Sequence, residues 1–503
     1  MSKILFFKSV SFSYLRQIIT LVVGVVSLPL TLNYFGSALY GILVLVLGLA
    51  GYLNNIAFGI PSAMVTLVAK TSDLHQKYLI LKKSFYILVT IVSILLGIFL
   101  IIVTMQDDWI ISILGNIDVQ YIQIAKNIFI VFVIVTLLKI PLTLYVQFFI
   151  GMNLVYISEI YQILTMVLSL IVILFTLYMK LDIYMFVVLT LCVQLIVNLS
   201  SMIHVLWKYT DLRNNLSDIS EISNSQILKS GFAFFQVGIA ASIVWSTDNL
   251  VISHFLSPEY VTSYSIAFKI FTYIFLFSAI INGVVSPMYG NAYAQQDWDK
   301  IKRISLMILK ILPILGAGVW IFLIFFSKEL IYLWTHNEDA FGGYLLVFSL
   351  GLYGYVLSFV NTYATLINSL NYAGKTLHVA WLEAFLNLIF SIVLIHFLGI
   401  GGVALGTALA SFFSAFLLLP KAIKILTHEK IIYEYSYVKK HFIFLVIPSL
   451  CVAFFSIYCE ILVLKIVLFC FVVMINLYLS WKLLTLEEQN MLLNLVKREK
   501  SIE

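Results

Sequence analysis

Seven ionisable side chains stand within or beside long apolar runs of this sequence: Arg16, Lys139, Glu159, Asp248, Lys269, Glu383 and Lys465. A charge held at mid-membrane depth costs roughly 2.5–3.5 kcal/mol on insertion scales, so it normally faces a cavity or a partner. Cations placed in this way suit an anionic, phosphorylated ligand. A carboxylate in the same setting suits proton or sodium coupling, or the closing of an internal ion pair.

Helical spacing sorts these residues. Lys139, Thr143 and Gln147 recur every four residues and build one polar stripe. Glu383, Asn387 and Ser391 do the same, and Glu159, Gln162 and Ser169 fall near one face. Lys269 has Ser265 and Tyr273 one turn to either side. The pattern predicts a substrate-binding set of Arg16, Lys139, Lys269 and Gln147, and a coupling or ion-pair set of Asp248, Glu383 and Glu159. Alternatives stay open within it. Arg16 meets a substrate phosphate or snorkels to the surface. Lys269 lines a cavity or pairs with Asp248, and Asp248 is that partner or a coupling-ion ligand. Taken singly, Glu159 reads as an interfacial acid and Glu383 as a packing residue, while Lys465, close to a turn, is expected to snorkel.

The elements that position these groups follow from composition. The chain has 503 residues, 62% hydrophobic and 11% charged, with a mean hydropathy of +1.05. Soluble domains carry roughly 45–50% apolar and about 25% charged residues, so the class is an integral membrane protein. Fourteen apolar segments have spanning length: 10–33, 39–60, 84–105, 121–149, 154–179, 183–207, 228–256, 260–287, 303–326, 342–368, 376–398, 401–424, 441–458 and 461–482. With the N-terminus inside, 24 of the 30 Lys and Arg residues fall on inside segments, as the positive-inside rule requires. Both termini are then cytoplasmic. The outside loops are short, and no phosphate-binding loop, H-E-x-x-H or G-x-S-x-G motif is present, so a non-enzymatic carrier is expected. The four cysteines, Cys192, Cys451, Cys459 and Cys470, show no ligand-like spacing.

The segments repeat. "NYFGSALYGILVL" at 33–45 echoes "SHFLSPEYVTSYSIA" at 253–267 with a shift of 220, and "IGMNLVYIS" at 150–158 echoes "NSLNYAGKT" at 368–376 with a shift of 218. Six spans separate the copies, so both enter the membrane in the same orientation. The expected organisation is an N-lobe at 1–207, a cytoplasmic linker at 208–227, a C-lobe at 228–425, and a C-terminal helix pair with a tail at 426–503. Parallel repeats of this kind place a transporter's substrate site between the halves. "GIGGVALGTALAS" contains Gly402 and Gly406 in G-x-x-x-G spacing, read as a close helix–helix contact inside the molecule.

Two six-helix halves, "YFGSALYG" after span 1, "STDNLVISHFLSPEYVTSYSIAFKIF" across spans 7 and 8, and "NYAGKTLH…FLGIGGVALGTALAS" across spans 11 and 12 carry a resemblance. Together they resemble the polysaccharide-transporter and flippase branch of the MATE-like (MOP) exporter superfamily. That resemblance implies a flippase for undecaprenyl-pyrophosphate-linked oligosaccharide (O-antigen, capsule or exopolysaccharide units) in the bacterial cytoplasmic membrane. It implies alternating access, a monomer, no cofactor or nucleic acid, proton or sodium coupling, and a polysaccharide polymerase and chain-length machinery as partners. The terminal helix pair is similar to that of lipid II flippases, where it is associated with the lipid tail. Those flippases carry several arginines in the first two helices, whereas here Arg16 stands alone and 39–60 is uncharged. The alternatives are a lipid II flippase, or a multidrug or organic-cation antiporter, which Lys139 and Lys269 argue against.

Overall fold

The computed structural model describes residues 3–209, 224–370, 372–433, 439–440, 442–458 and 461–483. Every regular element among them is helical, as apolar segments that must satisfy their own backbone in lipid require. In chain order they are α1 (Lys3–Gly48), α2 (Ala50–Asn55), α3 (Ile60–Lys70), α4 (Leu74–Met105), α5 (Trp109–Leu114), α6 (Ile122–Gly151), α7 (Val155–Met179) and α8 (Ile183–Lys208). There follow α9 (Asn224–Phe255), α10 (Pro258–Ala294), α11 (Trp298–Thr335), α12 (Tyr344–Ser369), α13 (Leu377–Ser411), α14 (Leu417–Leu426), α15 (Ile447–Ile457) and α16 (Leu462–Leu483).

Ten stretches among the described residues are long and apolar enough to cross a membrane. Two of them, Lys8–Asn55 and Gly374–Leu426, each hold two of the expected spans. The first is divided at Gly36 (φ 80°) and the second at Gly399 (φ 58°), both in the left-handed region that glycine enters without strain. With α10 and the helical stretch 442–457 the fourteen segments are accounted for. Polar residues set the ends: the Asp73 carboxylate accepts from Gln76 N–H at 2.9 Å to start α4, and Asp182 accepts from Met185 N–H at 2.8 Å to start α8.

Span 2 departs from expectation. Instead of one helix over 39–60, the chain unwinds after Gly48, forms the six-residue α2, turns at Phe58 and Gly59, and resumes as α3 to Lys70. Gly59 has φ 67°, and a Cβ there would stand 2.1 Å from the Gly231 carbonyl oxygen of α9. We therefore expect Gly59→Ala to cost about 2–4 kcal/mol, combining overpacking with a left-handed backbone. A lowered melting midpoint of the purified protein, with Gly36→Ala milder because open space surrounds Gly36, is the check.

The chain packs as two compact units, Met1–Thr262 with Trp334–His336, and Ser263–Leu333 with Asn337–Glu503. This division by packing differs from the division by duplication, since α9 belongs to the first unit although it opens the second repeat. Most of the expected linker, 210–223, lies outside the described residues. Inside the first unit the two echoed turns meet: Thr262 Oγ1 donates to the Ser37 carbonyl at 2.6 Å, and a Cβ on Gly41 would lie 1.8 Å from Pro258 O.

In the second unit, α13 folds back on itself at Gly399. A Cβ on Gly402 would stand 2.3 Å from Leu394 O, and one on Gly406 2.7 Å from Ser391 N. The small-residue run is therefore a contact between the two arms of one hairpin. On α16, Lys465, Phe469, Val472 and Asn476 share a face. Phe469 packs against Phe322, Phe325 and Phe326 of α11, and Asn476 Nδ2 donates to Ser449 Oγ of α15 at 2.6 Å.

Candidate functional site

In the first unit the polar stripe of α6 meets a second stripe on α8. Lys139 is half-buried, and its Nζ donates to Gln194 Oε1 at 2.8 Å. No carboxylate pairs with this ammonium among the described residues. Gln147 is half-buried two turns further along α6, whereas Thr143 turns back to the Ile140 carbonyl at 2.7 Å and is satisfied within its own helix. On α8, Asn198 donates to the Gln194 carbonyl and Ser201 to the Asn198 carbonyl, each at 2.7 Å. Beyond them, Tyr161 of α7 hydrogen-bonds His204 Nδ1 at 2.8 Å, with Phe149 stacked on the tyrosine ring. The result is a seam of neutral polar groups around one cation. The α8 stripe at Gln194, Asn198 and Ser201 follows helical i, i+4, i+7 spacing, so it was readable in the sequence, but its lack of charge hides it.

Arg16 and Glu159 are brought together. The Arg16 guanidinium Nε donates to Glu159 Oε2, and Ser13 Oγ donates to Oε1 at 2.8 Å. Glu159 is buried at 7% exposure and the Arg16 side chain is 28% exposed, so the pair is a part-buried contact between α1 and α7. A substrate phosphate reaching Arg16 would have to compete with this carboxylate. Gln162 lies one turn from Glu159 and contacts the Ser158 hydroxyl at 3.5 Å.

Asp248 is 4% exposed on α9, beside the unwound part of span 2. Asn55 Nδ2 donates both to the Gly51 carbonyl at 3.0 Å and to Ser242 Oγ at 2.8 Å, and Ser242 itself donates to Gly51 O at 3.1 Å. Tyr52 and Thr247 share a hydroxyl–hydroxyl hydrogen bond. Side chains of α9 thus tie onto α2, through Ser242 to the Gly51 carbonyl and Asn55 and through Thr247 to Tyr52. Tyr52, Asn55, Ser242 and Thr247 are additions to the sequence-based set. The signal was "LNNIAFGIPS", with Asn-Asn and Gly-Ile-Pro inside an apolar run.

The remaining candidates are in the second unit. Lys269 is half-buried on α10, and Ser265 one turn earlier is buried, while the Tyr273 side chain lies outside the described residues. Lys269 and Asp248 belong to different units. Glu383 accepts from Ser411 Oγ, Asn387 Nδ2 donates to Thr407 Oγ1 at 2.8 Å, and Ser391 Oγ donates to Val403 O at 3.4 Å. This stripe ties the arms of the α13 hairpin together. Lys465 does not snorkel: it is 5% exposed and its Nζ pairs with Glu329 Oε1 of α11. A half-buried acid within reach retains the amine, where a purely apolar wall would send it outward. Cys192, Cys451 and Cys470 are free thiols, and Cys459 lies outside the described residues.

Comparison with known proteins agrees with this architecture. A family model described as "Polysaccharide biosynthesis protein" matches residues 6–293, and a MatE model matches residues 237–395. The chain is similar to a provisionally named O-antigen transporter of Salmonella typhimurium, with 25% identity over 194 residues, 39% of this chain. The match spans 45% of that relative's own length. Among solved structures, the lipid II flippase MurJ in an inward closed conformation has a TM-score of 0.70 at 15% identity, covering 94% of this chain and 98% of that one. An inward-facing multidrug resistance MATE family transporter of the MOP superfamily has a TM-score of 0.68 at 15% identity, covering 82% of this chain and 96% of that one. At such identities these two are likenesses of fold.

Proposed function

The chain belongs to the polysaccharide biosynthesis protein family, a polysaccharide-transporter group of the MOP superfamily, and from that premise we propose that it is a flippase for undecaprenyl-pyrophosphate-linked oligosaccharide. It acts in the bacterial cytoplasmic membrane by alternating access, with both termini cytoplasmic, and hands its cargo to a polysaccharide polymerase. The observation that carries the reading is Lys139, an ammonium inside a spanning helix whose recorded partner is the neutral Gln194. An unneutralised cation at this depth favours a pyrophosphate and disfavours a cationic drug. Gln147 extends the same stripe of α6, and Lys269, half-buried on α10 of the second unit, is a further candidate cation for the phosphate. Arg16 joins once the phosphate displaces Glu159.

Asp248 is the acid we assign to ion coupling, because it lies against a discontinuous helix, where secondary transporters hold coupling ions. Glu159 and Glu383 are assigned to internal structure, through Arg16 and Ser411. Asp248→Asn is expected to remove the dependence of transport on a proton or sodium gradient while leaving oligosaccharide-lipid binding within about twofold. Transport followed in liposomes under imposed gradients is the check; an unchanged gradient response removes Asp248 from coupling.

The function itself is tested by deleting the gene. Lipid-linked repeat units should then accumulate on the cytoplasmic face. Normal export in the absence of a redundant carrier contradicts the proposal, and drug resistance without a surface-glycan phenotype supports the antiporter.

A further inference from the structure

At the end of the second unit opposite the lysine-rich loops, a cavity of about 400 Å³ opens where α11 ends, α12 begins and α16 docks. Its volume is at the small end of the roughly 300–1,000 Å³ typical of ligand sites, enough for one or two sugar rings. Three aromatic rings line it, Tyr332, Phe341 and Tyr344. Phe341 and Tyr344 stand edge to face, with centroids 5.0 Å apart. Charged groups of both signs complete the lining: Lys328 and Lys465, Glu329 and Glu338. The Lys465–Glu329 pair ties α16 to α11 at this wall.

This combination fits a pyranose. Aromatic faces cover the apolar C–H face of a sugar ring, carboxylates accept from its hydroxyls, and ammonium groups donate to its ring and hydroxyl oxygens. A lipid tail would want the acids and lysines absent, and a phosphate would want the acids absent. The equivalent corner of the first repeat, 220 residues earlier, is built differently. There Ser112 stands where Tyr332 stands, and Ile124 where Tyr344 stands. Its cation, Lys126, is held by Asp107 at 2.9 Å and Asp108 at 2.8 Å. In the second unit Lys328 of α11 is joined by a second cation, Lys465 of α16, from outside the duplication, and tyrosine rings occupy the corner.

We propose that the cavity bounded by Tyr332, Tyr344, Glu338 and Lys465 is a glycan-binding subsite, taking one or two sugar rings of the oligosaccharide at the end of the protein opposite the lysine-rich loops. The assignment rests on the proposed oligosaccharide cargo only for the identity of the sugar. The probe is the repeat-unit oligosaccharide freed from its lipid by mild acid, titrated into the purified protein and followed by saturation-transfer NMR. Tyr332→Ala and Glu338→Gln change exposed side chains and should leave the melting midpoint in place. Each is expected to weaken sugar binding at least tenfold. Absence of binding to the unaltered protein, or equal binding by the Tyr332→Ala and Glu338→Gln variants, overturns the subsite. Sugar binding lost in those variants, together with normal export in the deletion strain, would retain the subsite and refute the flippase.

Discussion

Replacing Lys139 by glutamine is expected to reduce export of lipid-linked repeat units by roughly 10–100-fold without lowering the amount of folded protein. A hydrogen bond to a charged group contributes about 1.5–3 kcal/mol, and each 1.4 kcal/mol is tenfold. The magnitude follows if the ammonium meets the pyrophosphate directly. The fold should tolerate the change, because glutamine takes a charge out of a half-buried position and leaves a neutral polar side chain beside Gln194, which now accepts from Lys139 at 2.8 Å. Lys139→Arg keeps the charge and is expected to retain a substantial part of export. Gln194→Leu does the opposite to stability: it removes the recorded acceptor of a half-buried ammonium and should destabilise the protein by about 1–3 kcal/mol. Export of surface glycan, normalised to protein level in the membrane, separates these outcomes. A Lys139→Gln variant that exports normally removes this residue from the substrate path.

The second large effect concerns the terminal helix pair. Glu329→Leu leaves Lys465, with 6% side-chain exposure, inside the protein without its carboxylate. Breaking a buried pair from one side costs about 3–5 kcal/mol. The lower end applies here, because the Glu329 side chain is 32% exposed and water screens part of the interaction. Lys465→Met should be far milder, since a lone Glu329 can turn to water and methionine fills the vacated apolar space beside Phe469. The double variant should recover most of the loss, with the aromatic contact of Phe469 to Phe322, Phe325 and Phe326 holding α16 in place. Thermal unfolding in detergent, read as a double-mutant cycle, measures the coupling directly. Equal melting of all four proteins would show that the pair does not hold α16.

The sequence disclosed the spans and the charged residues, and withheld the partners. Fourteen apolar segments and the positive-inside bias are local or additive signals, and the helices appear where hydropathy places them. Arg16 and Glu159 are separated by 143 residues, so their pairing is a product of how α1 packs on α7. Lys465 looked like a snorkelling residue because it lies close to a turn; Glu329, 136 residues away in the chain, decides otherwise. The break in span 2 was signalled by "LNNIAFGIPS", but mean hydropathy over a window treats two asparagines and a Gly-Ile-Pro as minor interruptions. Asp248 was visible as an anomaly at once. Its surroundings became visible only when α9 was seen to pack on α2, where Tyr52, Asn55, Ser242 and Thr247 form a polar cluster.

Transport by the purified protein tests the central claim most directly. The protein is reconstituted into liposomes with a fluorescent undecaprenyl-pyrophosphate oligosaccharide, and a membrane-impermeant quencher is added outside. With the unaltered protein, quenching should pass beyond the outer-leaflet fraction as head groups cross, and with Lys139→Gln it should stop near that fraction. Quenching that halts at the outer leaflet for both proteins, or proceeds equally fast for both, contradicts the account.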